Sequence, residues 1–486
     1  MSKEGMTMKI GIALIVIAII VFAAAGYIAM SAPTKTVTTT VTSATTVTVT
    51  KTITATTTAP ATTPTTTPTT PTTTAAPTGP PIKVGLIGPF TGPAARTGQA
   101  FIDAAKLFYE HLKKEGKIPV KVDGQLRDIE FYLVDTKSDP EEAVRAYKEA
   151  IIKGGVDVFV GNWHSSVALA IYKIGTQYGK ITVGTCGETQ TLCYERVKHP
   201  DESKYWFKHW VCPPIYGSAF VPAFEEVLSE IGYTPSPKKV ALIVEDTDYG
   251  RGMGDALKEA FEKAGWEVAF YDVFTLSPPE TEFSTFIAKY KAANVRLVYM
   301  VCTALQSYVA FLKQVHEAKI PAFIGVFGPG FFPVKDWYPA VGEASDYMLS
   351  MDTRLVLTDE QRAWLNEFKE KYGYDCSPTI AYWAQEFAFL VEALNKAGTL
   401  DPEKLRETIL SMDYKGLFGG IKYCDKLYCY DEKGNLIAHF QENLYGPDYF
   451  FFPLVQWKGG KPIVIWPKQY AQGKLEIPPT LKSAGG

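Results

Sequence analysis

The sequence predicts an α/β protein of two doubly wound lobes, set behind an N-terminal transmembrane helix and a disordered threonine-rich stalk. Three observations predict this. Strand-and-helix alternation starts at Ile82 and runs through two copies. An uncharged apolar stretch, Ile10 to Met30, has the roughly 20-residue length that spans a bilayer. Between them, Ser31 to Thr78 is about half threonine with prolines at 60, 64, 68 and 71, a composition that cannot bury a core.

Lys3 and Lys9 precede the apolar stretch, which keeps the short N-terminus inside and sends the bulk of the chain outside. Ala23 to Ala25 offer the small residues of a cleaved signal, but the length favours an uncleaved anchor. No cysteine follows as a lipid attachment point. The expectation is a single-pass cell-membrane protein whose globular part is extracellular. O-glycosylation of the threonine tract would stiffen it into a stalk; unmodified, it is a disordered linker. With a net charge of −3 and no basic stripe, nucleic acid is not expected as a partner.

The first globular unit is IKVGLIGPFTGPAARTGQAFIDAAKLFYE. Ile82, Val84, Leu86 and Ile87 suit a buried parallel strand. Gly88, Pro89, Gly92, Pro93 and Gly98 mark a loop, and Phe101, Ala104, Ala105 and Phe108 repeat at helical spacing from about Gly98, with Thr97 as the cap. Ile129 to Asp135 reads as a strand. Ser138 to Glu142 starts a helix, with Pro140 in its first turn and acids on its dipole, that ends at Gly154-Gly155. Val156 to Gly161, a helix Ser165 to Tyr178, and a strand Ile181 to Thr185 complete the first copy. The pattern breaks between Val197 and Tyr216, and a helix near Ala219 to Ile231 precedes its return. Strands Val240–Glu245, Glu267–Phe274, Val295–Val301 and Ala322–Val326 then alternate with helices Gly252–Ala264, Glu282–Ala293 and Ser307–Lys319. Thr358 to Met412 is helical, and Phe418 to Trp466 is β-rich with turns at Asp431–Gly434 and Gly459-Gly460.

Catalytic signatures are missing: no G-x-x-x-x-G-K-[ST], H-E-x-x-H or G-x-S-x-G occurs. Gly250-Arg251-Gly252-Met253-Gly254 places its third glycine wrongly for a dinucleotide loop. Asp246 and Asp248 suit a cap and turn better than a metal or an acid–base pair, and His164 beside Ser165 lacks an orienting acid. No enzyme activity, cofactor or metal is therefore expected. Seven cysteines permit disulfides outside the cell, and sequence proximity pairs Cys186 with Cys193 and Cys424 with Cys429; the odd count leaves at least one thiol over, for which Cys302, inside an apolar strand, is the choice. What recurs is loop chemistry at strand ends. Gly161-Asn162-Trp163-His164-Ser165-Ser166 runs from strand into helix with hydroxyls and N–H groups suited to a carboxylate. Gly184-Thr185-Cys186-Gly187 adds donors, Trp163 either stacks on a ligand or packs the loop, and Tyr249 and Thr303 end strands of the second copy.

These segments resemble one family. IKVGLIGPFTGPAARTG, VDVFVGNWHSS, ITVGTCGE, KVALIVEDTDYGRGMGDALKEAFEKAG and FSTFIAKYKAANVRLVYM occur in the order found in extracellular solute-binding proteins of branched-chain amino acid ABC transporters. The resemblance covers about Ile82 to Trp466 and implies the type I periplasmic-binding-protein, or Venus-flytrap, fold, with three hinge crossings. The implied layout is anchor 1–31, stalk 32–81, lobe I at 82–210 plus about 350–420, lobe II at 211–349 plus about 421–470, and tail 471–486. It further implies capture of a small polar solute (an amino acid, amide or related carboxylate) for a permease and its ATPase. A sensory ectodomain of the same fold is the alternative, and a surface-anchored hydrolase the third reading. The family's carboxylate-binding serine falls on Ser165 and its companion loop on Gly184 to Cys186. Three positions depart from the pattern. The first-loop aromatic falls on Thr97, beside Arg96; the second-lobe tyrosine falls on Thr303; and the acid that meets the ligand's ammonium falls on Phe327. Glu188, Asp246 or Asp248 is left to compensate, since a buried ammonium without a partner is costly. On this comparison carboxylate binding survives better than ammonium binding.

Overall fold

Alternating apolar strands and amphipathic helices build two parallel sheets, in a computed structural model that describes residues 76–92, 94–276, 278–327, 334–351 and 357–483. The expected anchor and residues 32–75 of the expected stalk lie outside the described residues, whereas Thr78, near the stalk's expected end, already donates from N to Leu126 O at 2.7 Å. Among the described residues no helix is long and apolar enough to cross a membrane.

The first sheet contains β1 (Ile82–Gly88), β2 (Ile129–Asp135), β3 (Val158–Gly161), β4 (Thr182–Thr185) and β5 (Trp206–Lys208) in the order β2-β1-β3-β4-β5, all parallel. The second contains β6 (Lys239–Glu245), β7 (Glu267–Phe274), β8 (Leu297–Val301), β9 (Phe323–Phe327), β10 (Leu349–Met351), β11 (Leu454–Lys458) and β12 (Lys461–Trp466). Its order, β7-β6-β8-β9-β10, repeats that of the first, and β11 and β12 are added antiparallel at one edge. In each sheet the strand order reverses beside the first strand, at β1/β3 and at β6/β8. The loops leaving these strands diverge there and open a crevice, the usual place for a ligand in an open α/β sheet.

Some helices follow their sequence cues and others depart from them. In α2 (Pro140–Ile152), Asp139 caps the start by accepting from Glu142 N at 2.8 Å, and Pro140 opens the first turn. Helix α1 (Ala95–Lys114) begins three residues before the expected point. Its cap position is Ala94, which makes no side-chain cap bond, so Thr97 is not a cap but a residue of the first turn. The expected helix from Ser165 to Tyr178 is two pieces, α3 (Ser165–Ile171) and Ile174–Gln177. The aromatic break after Val197 hides β5, three fully buried residues that complete the first sheet.

Two expectations change at β5. Lys208 N donates to Gln441 O (2.9 Å) and Asn443 N donates to Lys208 O (2.8 Å), so the segment from Ile421 to Tyr445 extends the first lobe rather than the second. The chain returns to the second sheet only at β11. Cys193 pairs with Cys212 rather than with Cys186, because the short helix Gln190–Lys198 and the segment leaving β5 meet there. Cys424 pairs with Cys429 as expected. Cys186, Cys302 and Cys376 are buried thiols, so Cys302 is one of three.

Candidate functional site

The two crevices face each other across one interlobe cleft. On the first lobe, the loop after β1 is pinned by Asp135, which accepts from Phe90 N (2.9 Å), Thr91 N (3.2 Å) and Thr91 Oγ1 (2.6 Å). The loop after β3 turns at Gly161, whose φ of +104° and approach to the Ile87 carbonyl leave no room for a side chain. That turn sets Trp163 and His164 ahead of α3. Trp163 packs 5.1 Å from Trp383, which stacks on Phe101 at 3.8 Å, so an aromatic column from the core fixes the indole.

On the second lobe, β6 ends in Glu245. Its neighbour β8 runs in register, Val244 beside Val301, so the chain leaving β8 passes the Glu245 carboxylate. Thr303 donates from N at 2.6 Å and from Oγ1 at 2.8 Å to Oε2, and Thr247 Oγ1 donates to Oε1 at 2.9 Å. Burial pushes the Glu245 carboxyl upward against these donors. Thr247 caps α4 (Asp248–Lys263) by accepting from Gly250 N at 3.0 Å, which puts Tyr249 in the first turn facing the cleft.

The cleft has two joined parts. An inner chamber of about 90 Å³ is lined by Trp163, His164, Ser165, Ser166, Glu188 and Trp210 from one side and by Glu245, Thr247, Asp248, Tyr249, Leu276 and Thr303 from the other. An outer chamber of about 510 Å³ shares Trp163, His164, Leu276 and Thr303 and adds mostly apolar walls, including Ala100, Pro279, Leu305 and Ile380, with Thr97, Gln306 and Ser377. Glu188 Oε2 accepts from Tyr216 at 2.9 Å, and burial lifts this carboxyl to about 7. Burial pushes His164 down to about 4, so its imidazole is neutral at pH 7. His164 Nδ1 and the Tyr249 hydroxyl are both buried without a hydrogen-bond partner among the described residues.

The mouth carries charge across the cleft. Arg96 on α1 meets Asp336 on α5 (Val334–Val341) at 3.3 Å and lies over the Tyr374 ring, while Lys335 meets Asp375 at 2.7 Å. Each lobe thus offers one cation and one anion to the other. For Asp336→Asn the expected result in stopped-flow measurements is solute release faster by about 2–5-fold at low salt, with the difference gone at high salt. An unchanged release rate at low salt would mean that the pairs hold nothing closed.

Of the ten ligand-binding residues expected from sequence, Thr97, Trp163, His164, Ser165, Tyr249 and Thr303 line the cleft. Gly184, Thr185, Cys186 and Phe327 do not line either chamber. Gly184 O accepts from Trp383 Nε1 (2.8 Å), Thr185 Oγ1 donates to Phe207 O (3.0 Å), and Cys186 N donates to Asn162 O (3.0 Å), so that loop is taken up by the first lobe's own core. The Phe327 ring packs on Tyr216 and Phe452. Glu188 lines the cleft as one of the proposed substitutes, as does Asp248; Asp246 instead pairs with Arg251 at 2.8 Å on the surface. Glu245 was not expected. Its sequence cue is one acid ending the apolar run KVALIV.

Residues 81–426 match the periplasmic binding protein family. Among curated proteins, the chain is 25% identical over 363 residues to the leucine-, isoleucine-, valine-, threonine- and alanine-binding protein of Pseudomonas aeruginosa, covering 73% of this chain and 87% of that one. Among solved structures, the fold is similar to a leucine-binding protein from Thermotoga maritima (TM-score 0.60, 20% identity, 79% of this chain and 97% of that one). It is equally similar to an ABC-transporter solute-binding protein from Rhodopseudomonas palustris in complex with 3,4-dihydroxybenzoic acid (TM-score 0.60, 21% identity, 78% and 94%).

Proposed function

From the premise that this chain belongs to the periplasmic binding protein family, we propose that it is a membrane-tethered receptor that captures a small polar solute between its lobes and delivers it to an ABC importer. The observation that carries this reading is the cleft itself: both chambers are walled by strand-end loops of both sheets, so a solute held there contacts both lobes at once. A ligand that touches both halves favours the closed arrangement by its differential contacts, and closure is what a permease can read. The relatives' names, which refer to amino acids and to an aromatic acid, support the size class of the solute. The tether is supported by the apolar stretch Ile10 to Met30 and the threonine tract that follows it. The chemistry of the cleft supports binding rather than turnover, because its buried hydroxyls and carboxyls are not arranged as nucleophile, base and orienting acid.

The test is mass spectrometry of what the purified full-length protein carries after denaturation, followed by calorimetry with that compound. A stoichiometric small solute is the expected result; an empty protein that binds nothing offered would end the reading. Ser165→Ala, which removes a hydroxyl from the inner chamber, is expected to weaken binding by roughly 1.5–3 kcal/mol, the size of a hydrogen bond to a charged group. Unchanged affinity would remove Ser165 from the site. Co-purification of the tethered protein with permease and ATPase subunits tests delivery.

A further inference from the structure

We propose that the inner chamber receives the cationic head of the solute, a protonated amine or a guanidinium, while the body of the solute lies in the outer chamber. This rests on the reading of the cleft as a solute site and specifies the charge of what enters it.

Glu188, Glu245 and Asp248 border the inner chamber, and no lysine or arginine does among the described residues. A carboxylate placed there would face three acids with only hydroxyls and backbone N–H groups in its favour. A cation would find them as partners, and charge-assisted bonds are the strong ones. Glu245 is the less available of the two buried glutamates, since both its oxygens already accept from Thr303 or Thr247. Glu188 is the more available, with its one hydrogen bond, from Tyr216, on Oε2. The second observation is independent of the acids: the Tyr249 hydroxyl, on a residue only 7% exposed that lines the same chamber, has no hydrogen-bond partner among the described residues. It marks the chamber as a place for a polar ligand group, and the hydroxyl oxygen can accept from the N–H of a cationic head. The volumes agree, since about 90 Å³ admits a head group and about 510 Å³ of mainly apolar wall admits a body larger than a leucine side chain.

The groups around Glu188 determine how binding couples to protons. Tyr216 donates to it, and Tyr249 of α4 and the Cys186 thiol feel its charge. Glu245 and Asp248 lie across the chamber, and His164 beside it is neutral. Lys208 of β5 is the cation within electrostatic reach, and it is engaged by Glu442 at 3.4 Å. With its carboxyl at about 7, Glu188 in the empty chamber is partly protonated at neutral pH. A cation binding beside it lowers that value and expels the proton. Affinity for a cationic head therefore rises with pH up to about 7 and then levels off, by at most tenfold per unit below it, whereas an anionic head would take up a proton and bind more tightly as pH falls.

The experiment is titration calorimetry on the full-length protein, between roughly pH 6 and 8 and in buffers of different ionisation enthalpy. The probes are agmatine and phenethylamine as amines, benzoate and hydrocinnamate as acids, and leucine and phenylalanine as zwitterions. Binding of an amine or a zwitterion with proton release, lost together with roughly 10–100-fold of affinity in Glu188→Gln, is the expected result. The glutamine keeps the shape and the Tyr216 contact, and an unchanged melting temperature separates lost recognition from lost folding. Binding of the acids alone, proton uptake on binding, or a Glu188→Gln variant that keeps the proton release overturns the proposal. If no probe of any class binds and no solute co-purifies, it is the receptor reading that falls, and this inference with it.

Discussion

Glu442→Ala is expected to destabilise the protein by about 3–5 kcal/mol, read as a lowered denaturation midpoint. Glu442 and Lys208 are both wholly buried, 3.4 Å apart, and Glu442 Oε2 also accepts from His439 N (3.0 Å) while approaching His439 Nδ1 (3.1 Å). Oε1 lies against both sulfurs of the Cys193–Cys212 bridge, at 3.2 and 2.9 Å. Removing the carboxylate leaves the wholly buried Lys208 without its ion-pair partner. Burial works against the Glu442 anion, yet Lys208, His439 and Arg196 hold its carboxyl down at about 2, below the ordinary 4.5. The sign follows from that depression: the contribution is complete above pH 4.5 and is lost as pH falls through about 2. Glu442→Ala should therefore also flatten the acid limb of the stability curve. A variant within 1 kcal/mol of the parent would show that Lys208 tolerates the loss of its partner, burial already favouring its neutral form.

Gly250→Ala is expected to abolish most solute binding, whereas Gly252→Ala, two residues on in the same helix turn, should leave it intact. A methyl at Gly250 would overlap the Glu245 carbonyl oxygen and come within 2.6 Å of Glu245 Cγ, both held in place by β6. At Gly252 the nearest atom is 3.6 Å away, an ordinary contact. Overpacking of this kind costs roughly 1–3 kcal/mol. Here it acts on the residue whose carboxylate organises Thr303 and Thr247, so the loss should appear in affinity as well as in stability. Calorimetry and thermal denaturation of the two variants check the contrast. Equal behaviour of the pair would show that α4 can move away from β6 without disturbing the chamber.

Both substitutions show which parts of the molecule can be read in one dimension. The glycines of DYGRGMG stand out in the sequence, and so does the strand they follow; what Gly250 must avoid is visible only once α4 packs on β6. Glu245 reads as the last residue of an apolar run, and nothing nearby says that Thr303, fifty-eight positions later, will close over it. The same holds for the disulfide. Cys186 and Cys193 are near in sequence, but β5 inserts Lys208 and carries Cys212 back to Cys193.

The sequence by itself determined the repeated strand–helix order, the helix start at Ser138 to Glu142, the strand-end loops holding Trp163, His164 and Ser165, and the family, because these depend on periodicity and on residues close along the chain. The tertiary structure decided which of those loops face the cleft, that Gly184 to Cys186 serve the core, that Glu188 and Glu245 share one chamber, and that residues 421–445 belong with β5. The physical reason is that the charge and hydrogen-bond partners of a buried group are set by neighbours that the fold brings together from distant parts of the chain, and local pattern carries no record of them.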